Sequence, residues 1–229
     1  RRTSLVLAWW RTMGAATALA AVVFYVTVQP RPDIVAVVGT VRVLFKFGLM
    51  LTLAGSAFGA LRTLSRPEGS WCKTLPLLFV TPALLIAAVV LELVSVPREV
   101  WLERAMGKSN IYCTILIMVI GIGPLSFLLL ALRHGAPASP RIAGAVAGLL
   151  AGGIAATIYA LHCTDDSPLF VAIWYGMAVA GLAALCSAAA APLAPWWPHA
   201  NAEPSRISRT RTIVGVSPLS MLQARPVTM

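Results

Sequence analysis

Long apolar runs constrain this chain more than any other feature. A helix crosses the hydrocarbon core of a bilayer with about 20 mostly apolar residues. The sequence offers six such runs, at roughly 12–28, 43–61, 75–96, 111–132, 142–161 and 168–191. Helices satisfy every backbone polar group within the segment, so they are the expected solution in lipid. The alternating pattern with regular turns that marks a transmembrane β-barrel is absent from the sequence. The predicted fold is therefore all-α, a polytopic membrane protein built as a bundle of six transmembrane helices. Charge supports this: 11% of residues are charged and 59% are hydrophobic, whereas a soluble domain carries about 25% charged residues. Arg11 interrupts the first run if it starts at Leu5. No small-residue cleavage site follows, so the run does not read as a signal peptide. The expected division is a short cytoplasmic N-terminus (1–11), a transmembrane domain (12–191), and a basic tail without periodicity (192–229) that is expected to be disordered.

Lysine and arginine in the connections set the expected orientation. The N-terminus, the 62–74 and 133–141 loops and the tail hold twelve of them, against six on the opposite side, counting Lys46 at the outer end of the second run. Both termini are thus predicted to be cytoplasmic. The net charge of +10 is then mostly the positive-inside excess rather than a nucleic-acid footprint. Asp33, Glu99, Glu103, Asp165 and Asp166 all fall on the outward side of this topology.

The outward side also carries the chemistry. Leu161-His162-Cys163-Thr164-Asp165-Asp166-Ser167-Pro168 places a thiol, an imidazole and two carboxylates in one short polar loop. Cys113, near the start of the fourth run, lies at the same membrane face. Cys72 and Cys186 lie toward the other. In an oxidising compartment an outward pair of thiols suits either a disulfide or a soft metal ion. His162 supplies a nearby cation or a ligand, and Asp165 and Asp166 suit its orientation or a coordination shell. The plainer readings are that Cys113 is a small apolar filler, and that Asp166-Ser167-Pro168 starts a helix with Pro168 at its first position. No CxxC or HExxH spacing is present to fix a metal or a redox motif.

Inside the runs, Glu92 is the one deep acid. Lys46 lies at comparable depth, so an interhelical ion pair Glu92–Lys46 is expected. Gly144, Gly148 and Gly152 recur every four residues and predict close helix packing, as do Gly55 and Gly59. Trp101, Trp196 and Trp197 fall at predicted interfaces. The main alternative function is a small inner-membrane transporter for a metal or small solute, with Glu92 in its path. Against it, the runs carry few polar residues and show no matched pair of broken helices.

The stretch His162-Cys163-Thr164-Asp165-Asp166-Ser167-Pro168-Leu169-Phe170-Val171-Ala172-Ile173-Trp174-Tyr175-Gly176 resembles the signature of the NrsF family. Leu132-Arg133-His134-Gly135-Ala136-Pro137, the glycine-rich Gly144–Gly153 stretch and the segment from Arg42 to Lys46 add to the likeness, which covers about residues 10–190. The resemblance implies a regulator and not an enzyme. Such a protein is a six-span inner-membrane anti-sigma factor that holds an extracytoplasmic-function sigma factor of the sigma-F type and releases it under heavy-metal or oxidative stress. It implies that Cys113 and Cys163 perceive the signal together, with His162 beside them. No cofactor is required, a heavy-metal ion binds at most transiently, and the partners are the sigma factor and the lipid bilayer, with no direct nucleic acid. Family members carry a cytoplasmic segment ahead of the first span as the natural sigma contact, and here that segment is expected to be missing or very short.

Overall fold

The computed structural model of this chain describes residues 2–64, 75–132 and 139–193. Among these residues there are helices and turns and no strand. In chain order they are α1 (Arg2–Thr27), the single turn α2 (Ile34–Val37), α3 (Val41–Leu64), α4 (Leu75–Ser95), a 3-10 turn (Arg98–Val100) leading into α5 (Trp101–Met106), α6 (Asn110–Leu132) and α7 (Pro140–Tyr159). The last helical stretch joins α8 (Pro168–Phe170), a π-helical turn (Val171–Tyr175) and α9 (Gly176–Leu193).

Five described helical segments are long and apolar enough to cross a membrane: Val41–Leu64, Pro76–Ser95, Arg98–Leu132, Pro140–Tyr159 and Pro168–Ala190. The first predicted run is not among them, because its described apolar part, Met13–Thr27, is too short. Arg11 does not interrupt the helix; α1 continues through it. Ala16, Ala20 and Phe24 are buried, and α1 lies on α6, where Leu19 fills the space beside Gly123. Cys72, His134, Trp196, Trp197 and the tail from Ala200 lie outside the described residues, as do most of the 62–74 and 133–141 loops.

Helix α7 is the axis of the bundle. Ser139 precedes it and Pro140 occupies its first turn, where the missing N–H costs nothing. Nearly every residue after Ile142 is Gly, Ala or another small or branched apolar residue, so neighbours approach on all sides. Within the most apolar stretch of each helix, 72% of residues are buried in α7 but only 11% in α4. Thus α7 contacts α1, α3, α6 and α9, while α4 lies at the periphery against α3 and the start of the last helical stretch.

The α7 glycines act as predicted. A Cβ on Gly148 would lie 2.5 Å from Ala183 Cα, and one on Gly144 would lie 2.6 Å from the Cys186 carbonyl oxygen, both in α9. Gly153 meets α3 in the same way, at 3.0 Å from the Ala54 nitrogen. Gly55 and Gly59 do not: a Cβ on either would meet nothing within 4 Å, because neither glycine lies at a close helix contact. Four-residue spacing marks a stripe but does not say which way it faces. Gly148→Val is therefore expected to destabilise the detergent-solubilised chain by about 1–3 kcal/mol through overpacking, whereas Gly55→Val is expected to be near neutral. Thermal unfolding of the two variants side by side checks this, and equal melting temperatures would sink it.

Candidate functional site

The buried polar side chains Arg31, Lys46 and Glu92 gather at one end of the bundle, around the 160–167 connection. The connection leaves α7 in a tight turn, with His162 N–H donating to the Tyr159 carbonyl at 2.9 Å. It returns to helix at Ser167, whose carbonyl accepts from Val171 N–H at 3.0 Å, with Pro168 at the first position. The helix start expected at Asp166-Ser167-Pro168 is therefore present with Ser167 as its cap, and this leaves both aspartates for other partners.

Three carboxylates tie this connection to the surrounding helices. Asp165 Oδ2 accepts from the Lys108 and Ser109 N–H groups at 3.0 and 3.3 Å, ahead of α6. Asp166 Oδ1 pairs with Lys46 Nζ at 2.5 Å, and its Oδ2 lies 3.6 Å from Arg31 Nη1. Glu92, from α4, accepts from Arg104 Nη1 at 3.0 Å, from Ser167 Oγ at 2.8 Å and from Leu169 N–H at 3.0 Å. It thus supplies a carboxylate to the start of the last helical stretch, where unpaired N–H groups and the helix dipole favour an anion. Gly107, between α5 and α6, has φ +55°, and a Cβ there would lie 2.5 Å from the Phe170 ring. Only glycine suits both the conformation and the close approach.

The expected Glu92–Lys46 pair is not formed. Lys46 donates to the carbonyls of Cys163 (3.1 Å) and Asp165 (3.2 Å) as well as to Asp166, while Glu92 takes Arg104. Similar depth along the bundle placed the two at one level but did not give their bearing around it. The α3 face that carries Lys46 looks at the connection, and Arg104 of α5 is the cation that reaches α4. The Lys46 ammonium also lies 5.8 Å from the centre of the Tyr175 ring.

Under this polar cap lie the two thiols. Cys113 Sγ and Cys163 Sγ are 3.5 Å apart, both cysteines are free, and both are buried. Tyr159 Oη donates to Cys113 Sγ at 3.3 Å. Cys163 Sγ lies 3.7 Å from the Asp165 carbonyl oxygen, and its own carbonyl accepts from Arg31 and Lys46. The hydrogen bond from Cys113, helped by the Lys46 charge, holds the Cys163 thiol below its ordinary value against the opposing effect of burial. That shift is toward the thiolate, the reactive form of the residue. The Tyr175 ring packs against Tyr159 and Phe170.

His162 sits beside the pair without joining it. Its Nδ1 is 2.8 Å from the Gln29 carbonyl oxygen. A carbonyl only accepts, so Nδ1 carries the proton and Nε2 is left as the open lone pair of the neutral ring. Gln29 itself has φ +64° and ends α1, its N–H donating to the Phe24 carbonyl. Among the described residues no three His, Cys, Asp or Glu side chains converge as a metal-binding group. Cys186 is buried far from the pair, where its carbonyl meets Gly144.

A family model described as "Negative regulator of sigma F", NrsF, matches residues 1–196. The chain belongs to the NrsF family. It is 36% identical over 134 residues to the anti-sigma-F factor NrsF of Caulobacter vibrioides (strain NA1000 / CB15N), a match covering 58% of this chain and 62% of that protein. It is 34% identical over 139 residues to the probable anti-sigma-F factor NrsF of Azospira oryzae (strain ATCC BAA-33 / DSM 13638 / PS), covering 57% and 61%. The chain thus spans about three fifths of the length of these curated relatives. No solved structure matches it. In this NrsF chain the structure gathers Cys113, Cys163, Asp165 and Asp166, which the sequence singled out, with His162 beside them, and it places Arg31, Arg104, Tyr159 and Tyr175 around them, which the sequence did not single out. Arg31 had a signal in Pro30-Arg31-Pro32, a cation held on a stiff segment. The tyrosines had none, because an aromatic residue in an apolar run reads first as packing.

Proposed function

We propose that this chain restrains a sigma factor of the extracytoplasmic-function, sigma-F type at the bacterial inner membrane, and releases it when the Cys113–Cys163 pair is modified. Membership of the family and the names of the curated relatives support the regulatory half. The observation that carries the sensing half is the 3.5 Å approach of two free thiols beneath a connection held by α3, α4, α6 and the last helical stretch. In this reading α1 completes six spans and both ends of the chain face the cytoplasm, where the sigma factor is held. The lipid bilayer is the other partner, and neither turnover nor direct nucleic-acid contact is part of the function.

Two modifications suit the pair. A disulfide brings the sulfurs from 3.5 Å to about 2.05 Å, and a transient heavy-metal ion spreads them around itself, with Nε2 of His162 nearby as a further donor. Either one shifts the connection and so biases the packing of α6, α7 and α9 between two states. A tenfold loss of affinity for sigma needs a differential of only about 1.4 kcal/mol.

The test is a reporter of sigma-F-dependent transcription in cells lacking their own copy of the regulator. The protein is expressed with and without Cys113→Ser and Cys163→Ser. Repression that metal or oxidant relieves only when both thiols are present is the expected result. Repression indifferent to the thiols would remove the sensing half. A complete lack of repression would return the transporter reading to the front, to be checked by solute flux in proteoliposomes.

A further inference from the structure

The two thiols have unequal surroundings. A cavity of about 390 Å3 opens at the polar end of the bundle, and its wall includes Gln29, Arg31, Ser109, His162 and Cys163 but not Cys113. Cys113 is fully buried behind it, fixed by the Tyr159 hydroxyl and by the Cys163 sulfur. A small reagent entering from this end therefore meets Cys163 first and reaches Cys113 only through it. A second observation concerns Tyr175. Its hydroxyl is buried and faces the Cys163 sulfur without forming a well-aligned hydrogen bond. A buried hydroxyl that meets only a weak sulfur acceptor is poorly compensated, and an oxygen atom added to that sulfur would be the stronger acceptor.

We propose that Cys163 is the site attacked by a small hydroperoxide, that Cys113 resolves the product, and that Tyr175 is the positioning residue that holds the oxidised sulfur between the two steps. The proposal rests on the thiol-sensing reading above and gives it an order and a reagent class. In the first step the Cys163 sulfur attacks one peroxide oxygen and the O–O bond breaks. The sulfur gains a hydroxyl as sulfenic acid, and the other oxygen leaves as an alcohol, or as water when the reagent is hydrogen peroxide, taking up the thiol proton. In the second step the Cys113 sulfur attacks the sulfenic sulfur. The S–S bond forms, the S–O bond breaks, and the hydroxyl leaves with the Cys113 proton as water. Two thiols have then given two electrons to one peroxide. The 3.5 Å separation lets the second step proceed without unfolding the connection, so the sulfenic acid is short-lived in the intact pair.

The experiment uses the whole chain, reduced and reconstituted in lipid nanodiscs. Hydrogen peroxide is added at limiting amounts with a dimedone-type sulfenic acid trap, and peptides are read by mass spectrometry. The wild type is expected to give the Cys113–Cys163 disulfide with little trapped product. Cys113→Ser is expected to carry the trap on Cys163, and Cys163→Ser to label Cys113 at least about tenfold less, following access to the thiol. Tyr175→Phe is expected to slow trapping by peroxide severalfold while leaving alkylation of Cys163 by iodoacetamide unchanged, which a merely structural role would not do. Trapping on Cys113 as fast as on Cys163, trapped Cys163 accumulating in the wild type, or no reaction of either thiol with peroxide would each overturn the proposal. A reporter still relieved by metal through both thiols would then keep the sensing reading alive. The expected chemistry with an unresponsive reporter would instead overturn that reading and leave the order of the thiols standing.

Discussion

Lys46→Met is expected to lower the melting temperature of the detergent-solubilised chain by roughly 6–12 °C, the shift that a loss of about 3 kcal/mol gives in a protein of this size. Lys46 is 1% exposed, and its ammonium spends its donors on the carboxylate of Asp166 and the carbonyls of Cys163 and Asp165. Methionine fills much the same volume but leaves Asp166, whose side chain is only 17% exposed, as an anion with only Arg31, at 3.6 Å, to balance it. That remaining arginine, which also reaches the Cys163 carbonyl at 3.3 Å, keeps the loss near the lower end of the usual range for a broken buried pair. The double variant Lys46→Met, Asp166→Leu removes the stranded charge and is expected to recover most of the loss. Thermal unfolding of the single and double variants decides the matter. A single variant within 2 °C of wild type, on the roughly 2–4 °C per kcal/mol scale for such chains, would show that the pair is not the anchor of the connection.

Glu92→Ala is the second large effect, at about 2–3 kcal/mol. Three donors lose one acceptor at once: Arg104, the Ser167 hydroxyl and the Leu169 N–H. Arg104 is the least affected, because its side chain is 32% exposed and can turn to water. The Leu169 N–H cannot turn away, being fixed in the first turn of the last helical stretch. The connection is then held from α3 and α6 but no longer from α4, so alkylation of Cys163 by a neutral maleimide is expected to accelerate. Glu92→Gln retains an acceptor and is expected to fall between. A Glu92→Ala chain with wild-type stability and wild-type Cys163 labelling would show that α4 has no hold on the connection.

These two residues also show what a sequence can and cannot convey. Their presence and depth were legible, because a charge inside an apolar run is conspicuous. Their partners were not, because depth along a helix axis leaves the angle around it open. The glycines show the same divide: one stripe of period four meets α9, and another on α3 meets nothing. The five apolar segments were legible from length and hydropathy alone; of the first run a helix over about 12–28 was legible, but not its continuation through Arg11, where the apolar run breaks. The approach of Cys113 to Cys163 was legible only as a shared membrane face. The 3.5 Å contact depends on how α6 and the turn after α7 pack, and no local pattern records that. The tyrosines around the thiols left no trace at all, since their polar ends are visible only once the fold has brought them beside sulfur.

The π-helical turn Val171–Tyr175 bears on how any change at the connection travels. Such a turn is a dislocation in the helix: one surplus residue held in a ladder that otherwise repeats every 3.6. Its loosened backbone is braced from outside, with Thr114 Oγ1 donating to the Trp174 carbonyl at 3.0 Å and the Trp174 indole donating to the Ala105 carbonyl at 2.8 Å. Annealing the dislocation into regular α-helix would advance everything beyond it by one residue, about 100° of rotation and 1.5 Å of travel. Helix α9 is not free to spin by that amount, because Ala183 and Cys186 are meshed with Gly148 and Gly144 like teeth in a rack. The defect and the rack oppose each other along a single helix, so a twist applied at the thiol end is either absorbed at Tyr175 or delivered whole to the far end of the bundle.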